Sequence, residues 1–505
     1  MALSALWFVS PYIAYTISRD IKTKKAVPSD EDIQDIRLIA RKTWRYFEDF
    51  VSLKDNYLPP DNFQEGLPHG LAHRTSPTNI GLYLVSALSA YDLGYISTCD
   101  LIETLHKTFD SMDKLDRWRG HFYNWYDTVT MQPLRPLYVS TVDSGNLIAY
   151  LMVLNEGLKE CMDKPLINVS IPSGLIDTIK LLNREMGSEK LDYKILEKFL
   201  NEKVIDTDEW LSAINEMMNM LERLKEHEKS CPYFAKVYDL FHSFKKEMEN
   251  TMPWIEYTDT IPDEVQKQLK ENPDVSDAVS GILSRFKASI SLNGLSREYT
   301  EAFKSLNSII SSLSKEEKEM ALWLKNLKSK LIVSYLYVNR TMSTIREIIK
   351  RSDMIIKDTE FKPLFDDRRQ LFSIGYNAED EQLTRSYYDL LASESRQTSF
   401  IAIAKGDVDQ KHWFRMDRSM TSFGSARGLV SWSGTMFEYL MPLLIMKNYE
   451  NTLLDATYRF ALKSQIEYGR MRNVPWGVSE SGYNSFDINL NYQYRAFGVP
   501  RLGLK

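Results

Sequence analysis

An alternation of two helix types constrains this chain more than any single motif. From Asp35 to Val51 apolar residues fall at Ile36, Ile39, Ala40, Thr43, Trp44, Phe47, Phe50 and Val51, the 3.6-residue period of a helix with one buried face. A turn-rich stretch, YLPPDNFQEGLPHGLAHR, leads into TSPTNIGLYLVSALSAYDLGY. Here Ser76 suits an N-cap, Pro77 the first helical position and Gly94 the terminator. This second helix is apolar nearly all round and therefore belongs inside. The pattern recurs with an amphipathic stretch near Leu101 to Leu115, an aromatic loop and the apolar NLIAYLMVL. It returns with apolar helices expected over Tyr388 to Ala404 and Gly434 to Met446, and an amphipathic one over Asn451 to Tyr468. Outer helices alternating with inner ones, joined by long loops on one side, form a ring of helical hairpins. No run of alternating β-branched residues argues for a sheet core, so the predicted class is all-α.

Residues 161–345 differ in character, with stretches such as LERLKEHEKS and SLSKEEKEMALWLKNLKSK. They are rich in charge and helix formers and poor in the Trp/Gly/Asn loops seen elsewhere. The expected organisation is a first half over 1–160, a helical insertion over 161–345, and a second half over 346–505. The N-terminal MALSALWFVSPYIAYTIS is apolar, but Ser4, Ser10 and Pro11 interrupt it and charge follows at Arg19. At about 17 residues it is marginal for a span, and it reads as a packed segment or the remnant of something upstream.

A net charge of −6 and no dense Lys/Arg stripe exclude a global basic field for nucleic acid. Cys99, Cys161 and Cys231 are odd in number, widely spaced and lack a C-x-x-C, so neither a disulfide framework nor a zinc ribbon is legible. His69 and His73 are four apart, but Pro68 and Gly70 break any helix there and no H-E-x-x-H is present; no metal is expected. Phosphate-binding glycine loops and a G-x-S-x-G elbow are also missing, so no cofactor is expected.

What the loops do collect suits carbohydrate: aromatic faces for pyranose C–H surfaces, with amide, guanidinium and carboxylate groups for hydroxyls. The clusters HFYNWYDT, SWSGTMFEY and NYQYRAFG carry this composition. Candidate sugar-binding residues across the loops are Asn62, Arg74, Asn124, Trp125, Tyr126, Asp143, Trp432, Glu438, Trp476, Tyr483 and Tyr492. The competing reading is that aromatics, 12% of the chain, fill a large core. Glycosidic chemistry needs two carboxyl groups, and a Ser-Glu-Ser triplet occurs twice, around Glu394 in YDLLASESRQTSF and around Glu480 in VPWGVSESGYNSFD. Structural roles compete: Glu394 could pair with Arg396 or Arg385, and Glu480 could cap a helix starting near Ser481. Asp61, Asp127, Asp143, Asp389 and Glu438 are rival acids.

The segments LPPDNFQE, RTSPTNIGLYL, RGHFYNWYDT, YVSTVDSGNL, YYDLLASESRQTSFIAIAKGDV, HWFR, SWSGTMFEYLMPLL, VPWGVSES and NYQYRAFGVPRLGLK together resemble the cyclization domain of cyclic β-1,2-glucan synthases. The match covers residues 1 to about 160 and 350 to 505 and largely omits the insertion. The resemblance implies an (α/α)6 barrel and an anomer-retaining transglycosylase that closes linear β-1,2-glucan into a ring. It implies Glu394 as acid/base and Glu480 as nucleophile. It also implies flanking membrane glycosyltransferase and phosphorylase-like domains and a place on the cytoplasmic side of the inner membrane, with the isolated domain soluble. Two rival functions remain open at this level: a plain β-1,2-glucanase and a non-catalytic glycan-binding module.

Overall fold

The computed structural model describes residues 2–18, 27–66, 70–187, 191–225, 231–288, 290–424, 426–486 and 492–504. The first group of helices is α1 (Ala2–Ile17), α2 (Asp30–Phe50), α3 (Pro77–Asp92), α4 (Thr98–Met112) and α5 (Thr141–Asp163). As expected, Ser76 caps α3 by accepting from Asn79 N, and Pro77 occupies its first turn. Gly94 then turns the chain at φ +78°. α3 and α5 are the inner helices, buried over most of their circumference, while α2 and α4 carry exposed outer faces.

The buried face of α2 differs from the expected one. Ile36 and Ile39 are exposed, whereas Leu38, Arg41 and Trp44 point inward. Arg41 tolerates full burial because Glu48 accepts from it in a fork at 2.9 and 3.2 Å and Thr178 Oγ1 accepts from its Nε at 2.9 Å. A guanidinium with its donors satisfied by a carboxylate fork can replace an apolar side chain on a helix face. Of the two N-terminal readings, the packed segment fails: Trp7, Phe8 and Tyr12 of α1 are all exposed. Among the described residues no helix is long and apolar enough to cross a membrane.

The middle region supplies α6 (Ser170–Met186), the one-turn α7 (Lys194–Glu197), α8 (Thr207–Leu224), α9 (Pro232–Thr251), α10 (Ile255–Asp259), α11 (Asp263–Glu271), α12 (Pro273–Ser284), α13 (Leu292–Ser312) and α14 (Lys318–Asp358). It does not form one appended bundle. Helices α6, α8 and α9 share a separate core around Leu175, Trp210 and Phe241, but α10 to α14 join the same core as α3 and α5. α14 explains this continuity. Its buried residues run from Met320 to Ile355 at helical spacing, so the helix starts against α13 and ends against α4 and α5. The expected boundary at 345/346 therefore falls inside one continuous helix.

Beyond α14 the outer/inner alternation resumes with α15 (Arg396–Lys405), the short α16 (Lys411–Arg415), α17 (Met436–Leu440) and α18 (Leu453–Arg472). Inner α15 packs on inner α5, where the missing Cβ of Gly145 leaves room for Thr398. The chain is all-α in its core, with outer and inner helices alternating on both sides of the middle region. Among the described residues its strands form small antiparallel sheets of two or three strands in the connecting loops. The helix expected over Tyr388 to Ala404 begins only at Arg396, because residues 387–388 pair as a strand with 372–373. That shortening leaves Glu394 in the turn before the helix.

Candidate active site

Each Ser-Glu-Ser triplet is tied to the five-residue helix α17. On the first, Ser393 Oγ donates to Glu394 Oε2 at 3.0 Å. Arg396 does not pair with Glu394. Fully buried, its guanidinium donates to the carbonyls of Ala392, Ser393, Glu438 and Tyr439 at 3.2, 2.8, 3.1 and 2.6 Å. It thereby clamps the Glu394 turn to α17. On the second triplet, Phe437 N donates to Ser479 Oγ and Met436 N to Val478 O, both at 3.0 Å. Gln465 of α18 brackets Val478 through bonds of 2.8 and 2.7 Å. Glu480 is no helix cap: it opens a strand, Glu480–Phe486, paired with Tyr492–Ala496.

The two glutamates share an electrostatic environment. Burial first, then the Glu438 and Glu480 carboxylates, push Glu394 up to about 7. Burial also raises Glu480, opposed by a hydrogen bond donated by the Tyr494 hydroxyl and assisted by Glu438. Tyr388, held well above the ordinary phenol range by burial, feels Glu394, Asp143, Tyr138 and Glu480 in that order. Residues from four separate stretches of chain therefore converge: Tyr138 and Asp143, Tyr388 and Glu394, Glu438, and Glu480 with Tyr494.

A polar network extends this site into the N-terminal loops. With its side-chain amide assigned in the orientation that satisfies both neighbours, Asn124 donates to Asp143 Oδ2 at 2.8 Å and accepts from Trp125 Nε1 at 3.2 Å. Arg74 lies 4.9 Å over the Trp125 ring and pairs with Asp61 at 3.0 Å. Asp61 also accepts from Asn62 and Asn79 at 2.9 and 3.1 Å. Gln64 links this loop to the C-terminal hairpin by accepting from Tyr492 N at 3.2 Å. Tyr483 is edge-on to Phe497, and Tyr492 stacks with Phe486.

Four sequence candidates have other placements. Tyr126 is fully buried, and its hydroxyl donates to Asp116 O at 2.5 Å and accepts from Tyr123 N at 2.8 Å; it is a core residue with no free surface for a sugar. Glu438 is buried in a capping box, accepting from the backbone of Ser433 and Thr435 at 3.0 and 2.9 Å. Its carboxylate oxygens serve the α17 N-terminus, and its reach to the site is electrostatic. Trp476 is half-exposed and lies against Gly469 of α18. Trp432, 38% exposed, sits beside the α17 cap. Tyr138, Tyr388, Asn79 and Tyr494 were missed by sequence reasoning. Each lay inside a segment that carries the family resemblance: Tyr138 in YVSTVDSGNL, Tyr388 in YYDLLASESRQTSFIAIAKGDV, Asn79 in RTSPTNIGLYL and Tyr494 in NYQYRAFGVPRLGLK.

No group of three His, Cys, Asp or Glu side chains that could hold a metal occurs among the described residues. His73 bonds Asp55 at 2.7 Å, and His69 lies outside the described residues.

No family model matches the chain. It is 34% identical over 510 residues to the cyclic beta-(1,2)-glucan synthase NdvB of Rhizobium meliloti (strain 1021), a match spanning all of this chain and 16% of that protein. The chain is a relative of one segment of a cyclic β-1,2-glucan synthase. It corresponds to about one sixth of the synthase's length. Among solved structures, an endo-β-1,2-glucanase from Chitinophaga pinensis, in complex with sophorotriose and glucose, aligns over 95% of this chain and 76% of its own. The TM-score is 0.46 and the identity 10%.

Proposed function

We propose that this chain is an anomer-retaining transglycosylase that cleaves linear β-1,2-glucan and closes it into a cycle. The observation that carries the reading is the pairing of Glu394, held near 7 by burial and neighbouring carboxylates, with Glu480, which accepts from the Tyr494 hydroxyl. A carboxyl group protonated near neutral pH is a general acid; one stabilised as an anion by a phenol is a nucleophile.

In the proposed sequence the Glu480 carboxylate attacks C1 of a β-1,2-linked glucosyl unit. The C1–O bond breaks, and Glu394 gives its proton to the departing oxygen, directly or through an intervening hydroxyl. Glu394, now a carboxylate, takes the proton from the 2-hydroxyl at the far end of the same polymer. That oxygen attacks C1, displaces Glu480 and closes the ring with two inversions and net retention. Sugar-holding groups around Asp61, Arg74, Trp125 and Asp143 would then decide whether a sugar or water completes the reaction, since the acceptor must outcompete bulk water.

The relationship to the synthase supports β-1,2-glucan as the substrate. We further propose that in a full-length synthase this segment works beside membrane glycosyltransferase and phosphorylase-like domains, at the cytoplasmic face of the inner membrane. The test is incubation with linear β-1,2-glucan and mass analysis of the products. A cycle is one water lighter than its linear counterpart, whereas release of one reducing end per bond cleaved identifies a hydrolase. Binding that survives loss of both glutamates, with no turnover by the unsubstituted chain, identifies a non-catalytic module.

A further inference from the structure

Glu480 and the groups around Asp61 and Arg74 belong to opposite ends of the chain. Glu480 opens the hairpin strand Glu480–Phe486, paired with Tyr492–Ala496, whereas Asp61 and Arg74 lie in the segment between α2 and α3. That segment is anchored on the helical core. Its two arms are joined by bonds from Asp61 N to Ala72 O at 3.2 Å, Ala72 N to Asn62 O at 2.9 Å and Gln64 N to Gly70 O at 2.7 Å. Phe63 stacks on Phe50 of α2 with ring centroids 4.7 Å apart, and Asn79 of α3 donates to Asp61 at 3.1 Å.

Gln64 carries this anchorage across to the hairpin. Its Nε2 donates to Asn62 Oδ1 at 3.3 Å, Asn62 donates in turn to Asp61 Oδ2 at 2.9 Å, and its Oε1 accepts from Tyr492 N at 3.2 Å. A backbone N–H can only donate, so the bond fixes the amide with its oxygen toward the hairpin. Two residues further along the same strand, the Tyr494 hydroxyl donates to Glu480. Burial and then Glu480 raise the Tyr494 phenol, with Glu394 and Asp61 adding to the shift. The 61–64 segment therefore faces the strand that steadies the nucleophile.

We propose that Gln64 is a positioning residue that sets the choice between a sugar acceptor and water. The proposal rests on the transglycosylase reading above. In its second step the bond from C1 to Glu480 breaks, a bond from C1 to the acceptor oxygen forms, and the acceptor proton passes to Glu394. The intermediate rides on the hairpin, while a sugar acceptor is held by the N-terminal segment, so the reach of its hydroxyl depends on how the two are joined. A misplacement of roughly 1 Å can cost about 10²-fold in such a step. Water reaches C1 without being held. Loosening the Gln64 tie accordingly slows transfer to sugar more than it slows hydrolysis.

The experiment compares Gln64→Met, which keeps the length of the side chain and removes the acceptor, with Gln64→Glu, which keeps an acceptor for the Tyr492 N–H. On linear β-1,2-glucan, Gln64→Met should lower the ratio of cycles to new reducing ends by about 3–10-fold, the worth of one hydrogen bond. Gln64→Glu should restore most of that ratio. Hydrogen exchange over residues 492–496 reads the tie directly and should quicken in Gln64→Met alone. An unchanged ratio in Gln64→Met overturns the proposal, whether or not total turnover falls, and so does a ratio lowered equally by both substitutions. Either result leaves the transglycosylase reading standing provided that the unsubstituted chain makes cycles. An unsubstituted chain that releases one reducing end per bond cleaved overturns that reading and the proposal with it.

Discussion

The Tyr494 hydroxyl donates a hydrogen bond to the Glu480 carboxylate across the C-terminal hairpin. The bond favours the charged form of Glu480 against the burial that raises its pKa. Tyr494→Phe should therefore shift the acid limb of the kcat/KM profile to higher pH and lower turnover at neutral pH by about 10–100-fold. An unmoved acid limb would remove Tyr494 from the account.

Glu480→Gln and Glu394→Gln should each stay folded and lose turnover by roughly three or more orders of magnitude, as expected when a covalent catalyst or its proton donor is removed. Near-normal rates in either variant contradict the assignment. NMR of the first-formed product reads the anomer: β supports the double displacement, α rules it out.

Two buried carboxyl groups make a pH prediction about stability. Glu394 is raised to about 7, and so is Glu247 of α9, by burial and then the Asp100 carboxylate, against hydrogen bonds from Thr98 and Cys99 that lower it. The ordinary value for both is 4.5. Between 4.5 and 7 the folded chain binds more protons than the unfolded one, so each group lowers stability as pH rises through that window. Glu394→Gln and Glu247→Gln should accordingly melt higher than the parent at pH 8, by about 2–4 °C. The gain should vanish below pH 4.5. Thermal melts across that range check the sign.

Arg396 joins the Glu394 turn to α17 through four backbone carbonyls. Arg396→Leu removes the side-chain donor from all four, although Ser393 O keeps the Arg396 backbone N–H at 3.2 Å, and should cost about 3–5 kcal/mol. Lysine has three donors on a point charge and should not restore the clamp. Denaturant unfolding of both variants measures this.

Trp125 and Tyr126 are neighbours in sequence with opposite expected effects. Trp125→Ala removes a ring held between Arg74 and Asn124 and should shift products from cycles toward linear fragments. Tyr126→Phe removes a hydroxyl bonded only within the core and should cost about 1 kcal/mol of stability without changing the product ratio. Chromatography of the products and a thermal melt separate the two.

The helical class is legible without coordinates, because a 3.6-residue apolar period and a Ser-Pro start such as Ser76-Pro77 are local signals. The paired triplets, together with the family resemblance, singled out Glu394 and Glu480. Periodicity did not reveal which face of α2 is buried: Arg41 goes inside only because Glu48 and Thr178 satisfy it. Nor did it separate Trp125 from Tyr126, or a capping Glu438 from a sugar-binding one. Those distinctions depend on partners far away in the chain. Long-range packing fixes that α14 runs unbroken from the middle region into the core of α4 and α5, and that one short helix, α17, holds both Ser-Glu-Ser segments. A carboxyl group's protonation is set by the charges and burial around it, and for Glu394 these come from Glu438 and Glu480, which only folding brings near.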